Sequence, residues 1–132
     1  MQFVEGSATD LPFAEASFDL VISHFAFSEF PQPQRVLGEC ARVLGPRGVL
    51  LMQDVLRPHP LQLASLALWR YATKPGSNFS RQYVDSLRGA YAKHELSQLL
   101  EDSPFAFDLQ ILARFFSPMG RVIATKQPTA TP

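Results

Sequence analysis

A single cysteine, Cys40, among 132 residues excludes an intrachain disulfide and a thiolate zinc cage, and the expected setting is a reducing, cytoplasmic one. Charge of one sign is missing too. Twelve Lys+Arg balance 12 Asp+Glu, so bulk attraction to nucleic acid or to an anionic membrane surface is not expected. There is no long apolar run either: residues 61–69 are interrupted by Gln62 and Ser65 and end at Arg70, far short of the about 20 residues of a membrane span. The opening Met1-Gln2-Phe3-Val4-Glu5-Gly6 lacks the basic stretch and apolar core of an export signal. No two of the seven glycines stand two residues apart, so the G-x-G-x-x-G fingerprint of dinucleotide binding is absent. What the chain does have is 46 % apolar residues and 11 Phe, ample for one domain with a packed core and too much for a disordered chain.

The pattern predicts an α/β fold. Residues 2–5 read as a short extended piece, stopped by Gly6-Ser7 and followed by a loop through Pro12-Phe13. Residues 18–23 form a compact apolar run with β-branched members, bounded by polar residues, which reads as a strand buried in a parallel sheet. Pro31 and Pro33 crowd the start of a helix whose Val36, Leu37, Cys40, Ala41, Val43 and Leu44 recur at helical spacing, and Gly45-Pro46 stops it. Residues 48–54 are a second buried strand, so the three elements make a right-handed βαβ unit. Leu20, Ile22, Val43, Leu50 and Met52 are the expected core. Helices follow over 61–73, 81–91 and 93–102, with a loop at 74–78 between the first two. Residues 105–116 and 121–126 flank Ser117-Pro118-Met119-Gly120 as an antiparallel hairpin.

Five stretches then resemble a known family. Val4-Glu5-Gly6-Ser7-Ala8-Thr9-Asp10-Leu11-Pro12-Phe13 is similar to G-D-A-x-x-L-P-F, and Ser17-Phe18-Asp19-Leu20-Val21-Ile22-Ser23 to S-F-D-x-V-x-S. Phe30-Pro31-Gln32-Pro33, Ala41-Arg42-Val43-Leu44-Gly45-Pro46-Arg47-Gly48 and Leu50-Leu51-Met52-Gln53-Asp54 resemble L-P-D-P, A-R-V-L-x-P-G-G and L-L-I-x-D. Each is weak alone, but together they are collinear. They resemble the class I S-adenosylmethionine-dependent methyltransferases, in the ubiquinone and menaquinone biosynthesis branch (methyltransferase type 11 domain).

The resemblance implies an incomplete Rossmann-like sheet, with helices on both faces and a carboxyl-terminal antiparallel hairpin. It covers the carboxyl-terminal portion of the family domain and begins inside the family's third strand, without the glycine-rich cofactor turn and the acidic residue that holds the ribose. Residues 1–126 are then one partial domain. Within it, 1–58 are the family-matching core, 59–103 a helical substrate lid and 104–126 the hairpin, and a disordered tail follows over 127–132.

The implied cofactor is S-adenosylmethionine and the implied second partner a small-molecule substrate. Cofactor-binding positions carry over to Ser7, Ala8, Leu11, Ser23 and His24, although the family has Asp where Ser7 stands. A hydroxyl accepts a weaker hydrogen bond from an exocyclic amine than a carboxylate does. Leu11 and Phe13 read either as flanks of an adenine face or as core beneath a loop. His24 is a candidate general base, its ordinary pKa lying near physiological pH, and equally a histidine hydrogen-bonded at a strand end. Glu29 is a second candidate, and equally a solvated carboxylate. His24, His59 and His94 are too scattered for a local metal signature, and Ser23, Ser28 and Ser80 lack a G-x-S-x-G setting. Missing neighbours would leave a sheet edge bare, open to a homodimer or to a non-catalytic pairing role.

Overall fold

The computed structural model describes residues 1–73, 85–113 and 119–127. Its centre is the expected βαβ unit. Strand β1, Phe18–His24, runs parallel to β2, Leu44–Val55, in a register from Leu20 opposite Val49 to His24 opposite Gln53. Helix α1, Pro33–Val43, crosses between them. It begins with Pro at its first turn, where a missing N–H costs nothing, and buries Val36, Leu37, Cys40, Ala41 and Val43 along one stripe.

The join between α1 and β2 is tighter than the sequence suggested. Instead of a free turn at Gly45-Pro46, the strand starts at Leu44. The slack is absorbed as an irregular pairing in which Phe18 lies opposite Leu44 while Leu20 already lies opposite Val49. Gly48 permits this, since a Cβ there would sit 2.7 Å from Leu44 Cδ2.

The hairpin is also present. Strand β3, Phe105–Ala113, and strand β4, Met119–Lys126, pair antiparallel, and β4 lies against β2 to give the order β1-β2-β4-β3. Residues 114–118, where β3 was expected to end, lie outside the described residues. Helix α2, Pro60–Thr73, and helix α3, Lys93–Glu101, match two of the three predicted helices. Of the third, 85–89 are helical and 81–84 lie outside the described residues, as does the loop expected at 74–78. Glu95 accepts the Ala92 N–H at 2.9 Å and pairs with Arg57, which ties the start of α3 to the chain leaving β2.

One core gathers α1 and α3 on a single face of the sheet, through Leu37, Leu50, Met52, Leu100, Phe105 and Val122. Two expectations fail here. Leu20 and Ile22, expected in the core, are 49 % and 62 % exposed. They alternate with Val21 and so point to the opposite face, where Ile123 is also 40 % exposed. Both helices of the common core, α1 and α3, lie on the other side. Val43, Leu50 and Met52 are buried as expected. Residues 2–5, expected to be extended as a strand, form none and are exposed, because a strand needs a neighbour and they have none among the described residues. At the other end, Gln127 donates its backbone N–H to the Pro104 carbonyl at 3.0 Å; the rest of the expected disordered tail, 128–132, lies outside the described residues.

Candidate functional site

The carboxyl end of β1 turns sharply. Phe25 has φ 51°, a left-handed conformation that an aromatic residue adopts only where its surroundings enforce it. Its N–H donates to the Gln53 carbonyl at 2.9 Å, which carries the ladder one residue past the strand. Its ring lies against His24, centroids 4.2 Å apart at 41°. The chain then enters a 3-10 turn, Phe27–Glu29, with Phe27 buried.

That turn is held by Asp54, the one buried polar or charged residue among those described, near the end of β2. One carboxylate oxygen accepts the Ser28 N–H at 2.8 Å. The other accepts the Val55 N–H at 2.8 Å and the Ser28 hydroxyl at 3.3 Å. In the sequence Asp54 is the polar end of a strand and the last residue of the stretch that resembles L-L-I-x-D, with no role attached to its carboxylate. A carboxylate closing an apolar parallel strand was the available signal, because sites in such sheets gather at the carboxyl ends of strands.

The loop before β1 has no strand partner among the described residues, and α1 holds it instead. Glu39 accepts the Leu11 N–H at 2.8 Å and takes two hydrogen bonds from Arg42, at 2.7 and 2.8 Å. Arg42 also donates to the carbonyls of Phe13, at 2.7 Å, and Leu11, at 2.9 Å. Arg35 donates to the Thr9 carbonyl at 3.0 Å. The Arg42 guanidinium, and after it the Leu11 N–H, pull the Glu39 carboxyl from an ordinary 4.5 to about 2. A carboxyl lowered on folding stabilises the fold above its unfolded value, and that contribution disappears as pH falls from about 4.5 through about 2.

Between this loop, the end of β1 and α1 lies a cavity of about 380 Å³. Ala8, Leu11, Ser23 and His24 line it, backed by Phe30 and Cys40. Ser7 is not among its lining: its hydroxyl bonds the Thr9 hydroxyl at 2.8 Å. Glu29 is exposed on the 3-10 turn and borders a separate open depression with Ser28, Asp85 and Ser86. Phe13 stacks edge-on against Phe18, centroids 5.0 Å apart, rather than lining the cavity. Mostly apolar walls with a hydroxyl and an imidazole at the strand end suit a flat ligand with apolar faces and a polar rim.

Cys40 at the cavity's floor is buried, and that burial pushes its thiol up to about 11. A thiolate-directed alkylating reagent at pH 8 should therefore label the native chain at least tenfold more slowly than the denatured chain. Equal rates would place Cys40 at the surface. No group of three or more His, Cys, Asp or Glu among the described residues is arranged to hold a metal ion, and no described helix is long and apolar enough to cross a membrane.

Residues 1–52 match the sequence profile of a family described as "Methyltransferase domain". The chain is 35 % identical over 106 residues to the phthiotriol/phenolphthiotriol dimycocerosates methyltransferase 1 of Mycobacterium ulcerans, a match covering 77 % of this chain and 37 % of that protein. It is 28 % identical over 134 residues to the demethylmenaquinone methyltransferase of Listeria welshimeri, covering 95 % of this chain and 55 % of the relative. It therefore spans about half or less of the length of these relatives. Its fold is that of a solved S-adenosylmethionine-dependent methyltransferase from Aquifex aeolicus, with TM-score 0.67 at 17 % identity, over 96 % of this chain and 55 % of that one.

Proposed function

We propose that the chain is a portion of a class I S-adenosylmethionine-dependent methyltransferase, as the match of residues 1–52 and the likeness to two methyltransferases support, and that it provides the adenine-side wall and the acceptor side of a site that methylates a small molecule with S-adenosylmethionine as cofactor. The observation that supports this is the cavity at the carboxyl ends of parallel β1 and β2, bordered by Ala8, Leu11, Ser23 and His24. A sheet of this class binds ligands in such a place. Leu11 and Ala8 suit an adenine face, and the Ser23 hydroxyl suits a polar edge. The glycine turn and the acidic ribose partner have no counterpart in the sequence, so these residues fit only part of the cofactor.

When bound, S-adenosylmethionine supplies a methyl group already activated on its sulfonium. The protein's share is then in-line positioning, exclusion of water and, for some acceptors, removal of a proton. His24, lining the cavity mouth beside Phe25, is the residue we assign to accept a proton from an acceptor hydroxyl. Glu29, on the far side of the turn, is assigned to the acceptor's approach. The acceptor is a small molecule, as the names of the two curated relatives suggest.

Titrating S-adenosylhomocysteine into the full chain tests this. Weak saturable binding is expected, with Kd of about 1 mM or more, and amide shifts confined to residues 8–11 and 21–26. Shifts centred elsewhere would overturn the assignment, and micromolar binding would show a complete site.

A second reading has its own observation: β1 is an edge strand carrying exposed Leu20 and Ile22, a surface open to pairing with a second copy. A non-catalytic pairing module would sediment as a concentration-dependent dimer and leave S-adenosylhomocysteine unbound.

A further inference from the structure

The cavity wall formed by Ala8 and Leu11 belongs to a loop whose only described short-range ties are its own turn, Asp10 N–H to the Ser7 carbonyl at 3.1 Å, and local bonds such as Phe13 N–H to the Leu11 carbonyl at 2.8 Å. Among the described residues, every side-chain hydrogen bond fixing it to the rest of the molecule comes from α1. Two residues one helical turn apart grip both polar groups of one peptide-chain position: Glu39 takes the Leu11 N–H, and Arg42 gives to the Leu11 carbonyl. The Leu11 side chain faces the cavity, so the backbone is held from behind and the side chain is presented forward. Arg42 donates through all three nitrogens, Nε and Nη2 to Glu39, Nη2 also to Leu11 and Nη1 to Phe13. Such a planar fork holds two carbonyls and a carboxylate at once, which a lysine ammonium on a flexible stem does not reproduce.

We propose that Glu39 and Arg42 are positioning residues for the ligand cavity: they set the Ala8–Leu11 wall from behind, touching no ligand themselves, so that the affinity of the cavity for an adenine-bearing ligand depends on them. This rests on the reading of the cavity as an adenine site. The alternative is that the pair merely stabilises the fold, as an i,i+3 ion pair on a helix does by a small amount. The two differ in where their loss is felt. A general stabiliser lowers protection throughout the molecule, whereas a positioning pair frees one loop.

The test is amide hydrogen exchange on the full chain with Arg42→Lys and Glu39→Ala, together with titration of adenosine and S-adenosylhomocysteine. The expected result is at least tenfold faster exchange at Leu11 in both variants, with Leu50, Met52 and Ala124 unchanged, and at least fivefold weaker binding of both probes. Arg42→Lys keeps the charge and the helix, so it separates the fork from the bare cation. Unchanged exchange at Leu11, or equal acceleration at Leu11 and Leu50, would overturn the proposal. If neither probe shifts the parent chain, the adenine reading fails and the assignment to a ligand site falls with it. The exchange data would still show whether the pair holds the loop.

Discussion

Replacing Phe105 by Ala is expected to lower unfolding free energy by about 3–5 kcal/mol in chemical denaturation, while Ile22→Ala shifts it by no more than about 0.5 kcal/mol. Phe105 is 1 % exposed at the start of β3 and belongs to the one core shared by α1, α3 and the sheet. Its ring fills space that α3 closes, so truncation removes buried apolar area and leaves a cavity with dense walls on every side. Ile22 has nearly the same hydropathy and sits mid-strand in β1, yet it is 62 % exposed. Water already reaches the atoms that truncation would remove. Since a small domain is stable by only about 5–15 kcal/mol, the Phe105 variant should unfold well below the parent midpoint. Equal losses at the two positions would mean that the second face of the sheet is covered in solution.

The same contrast shows what the sequence could convey. Within residues 18–23, Leu20, Val21 and Ile22 are three successive apolar residues, and such a run is the mark of a strand covered on both faces. The run correctly predicted a parallel strand beside β2, with α1 crossing between them. It could not say whether anything lies against the Leu20 and Ile22 side, because burial depends on elements distant in sequence. The α1–β2 join was legible in kind and wrong in detail: the helix does stop just before Gly45-Pro46, at Val43, but those two residues belong to β2, whose pairing with Phe18 begins at Leu44. Helix periodicity exposed Val36, Leu37 and Cys40 as core. It was silent about Glu39 and Arg42, which look like any surface i,i+3 pair until the loop from Thr9 to Phe13 folds back onto them. Of the residues marked by resemblance, Ala8, Leu11, Ser23 and His24 border the cavity, the last two because they stand at the carboxyl end of β1. Ser7 and Glu29 stand outside its lining, Ser7 bonded to the Thr9 hydroxyl and Glu29 on the 3-10 turn, neither placement being encoded in spacing.

Asp54→Ala should cost about 2–3 kcal/mol and loosen the turn after β1, a change large for one polar side chain. Asp54 is 7 % exposed and its carboxylate accepts the Ser28 N–H, the Ser28 hydroxyl and the Val55 N–H. Alanine leaves these donors without their partner in a place water reaches poorly, and each such orphan costs about 1–3 kcal/mol. The Ser28 N–H matters most, because it fastens the 3-10 turn to β2 from a position 26 residues earlier in the chain. Behind that turn, Phe25 is held at φ 51°, a conformation that persists only while its surroundings impose it. Releasing Ser28 therefore lets Phe25 relax and moves His24 off the cavity mouth. Asp54→Asn keeps one acceptor oxygen and should cost about 1 kcal/mol, since it loses the charge but can still accept the Ser28 N–H. Exchange at Ser28 should accelerate strongly in the Ala variant and mildly in the Asn variant, and the His24 ring resonances should shift only in the former. Undisturbed protection at Ser28 in Asp54→Ala would show that the turn stands without the carboxylate, and that the geometry at the end of β1 is set by the strand itself.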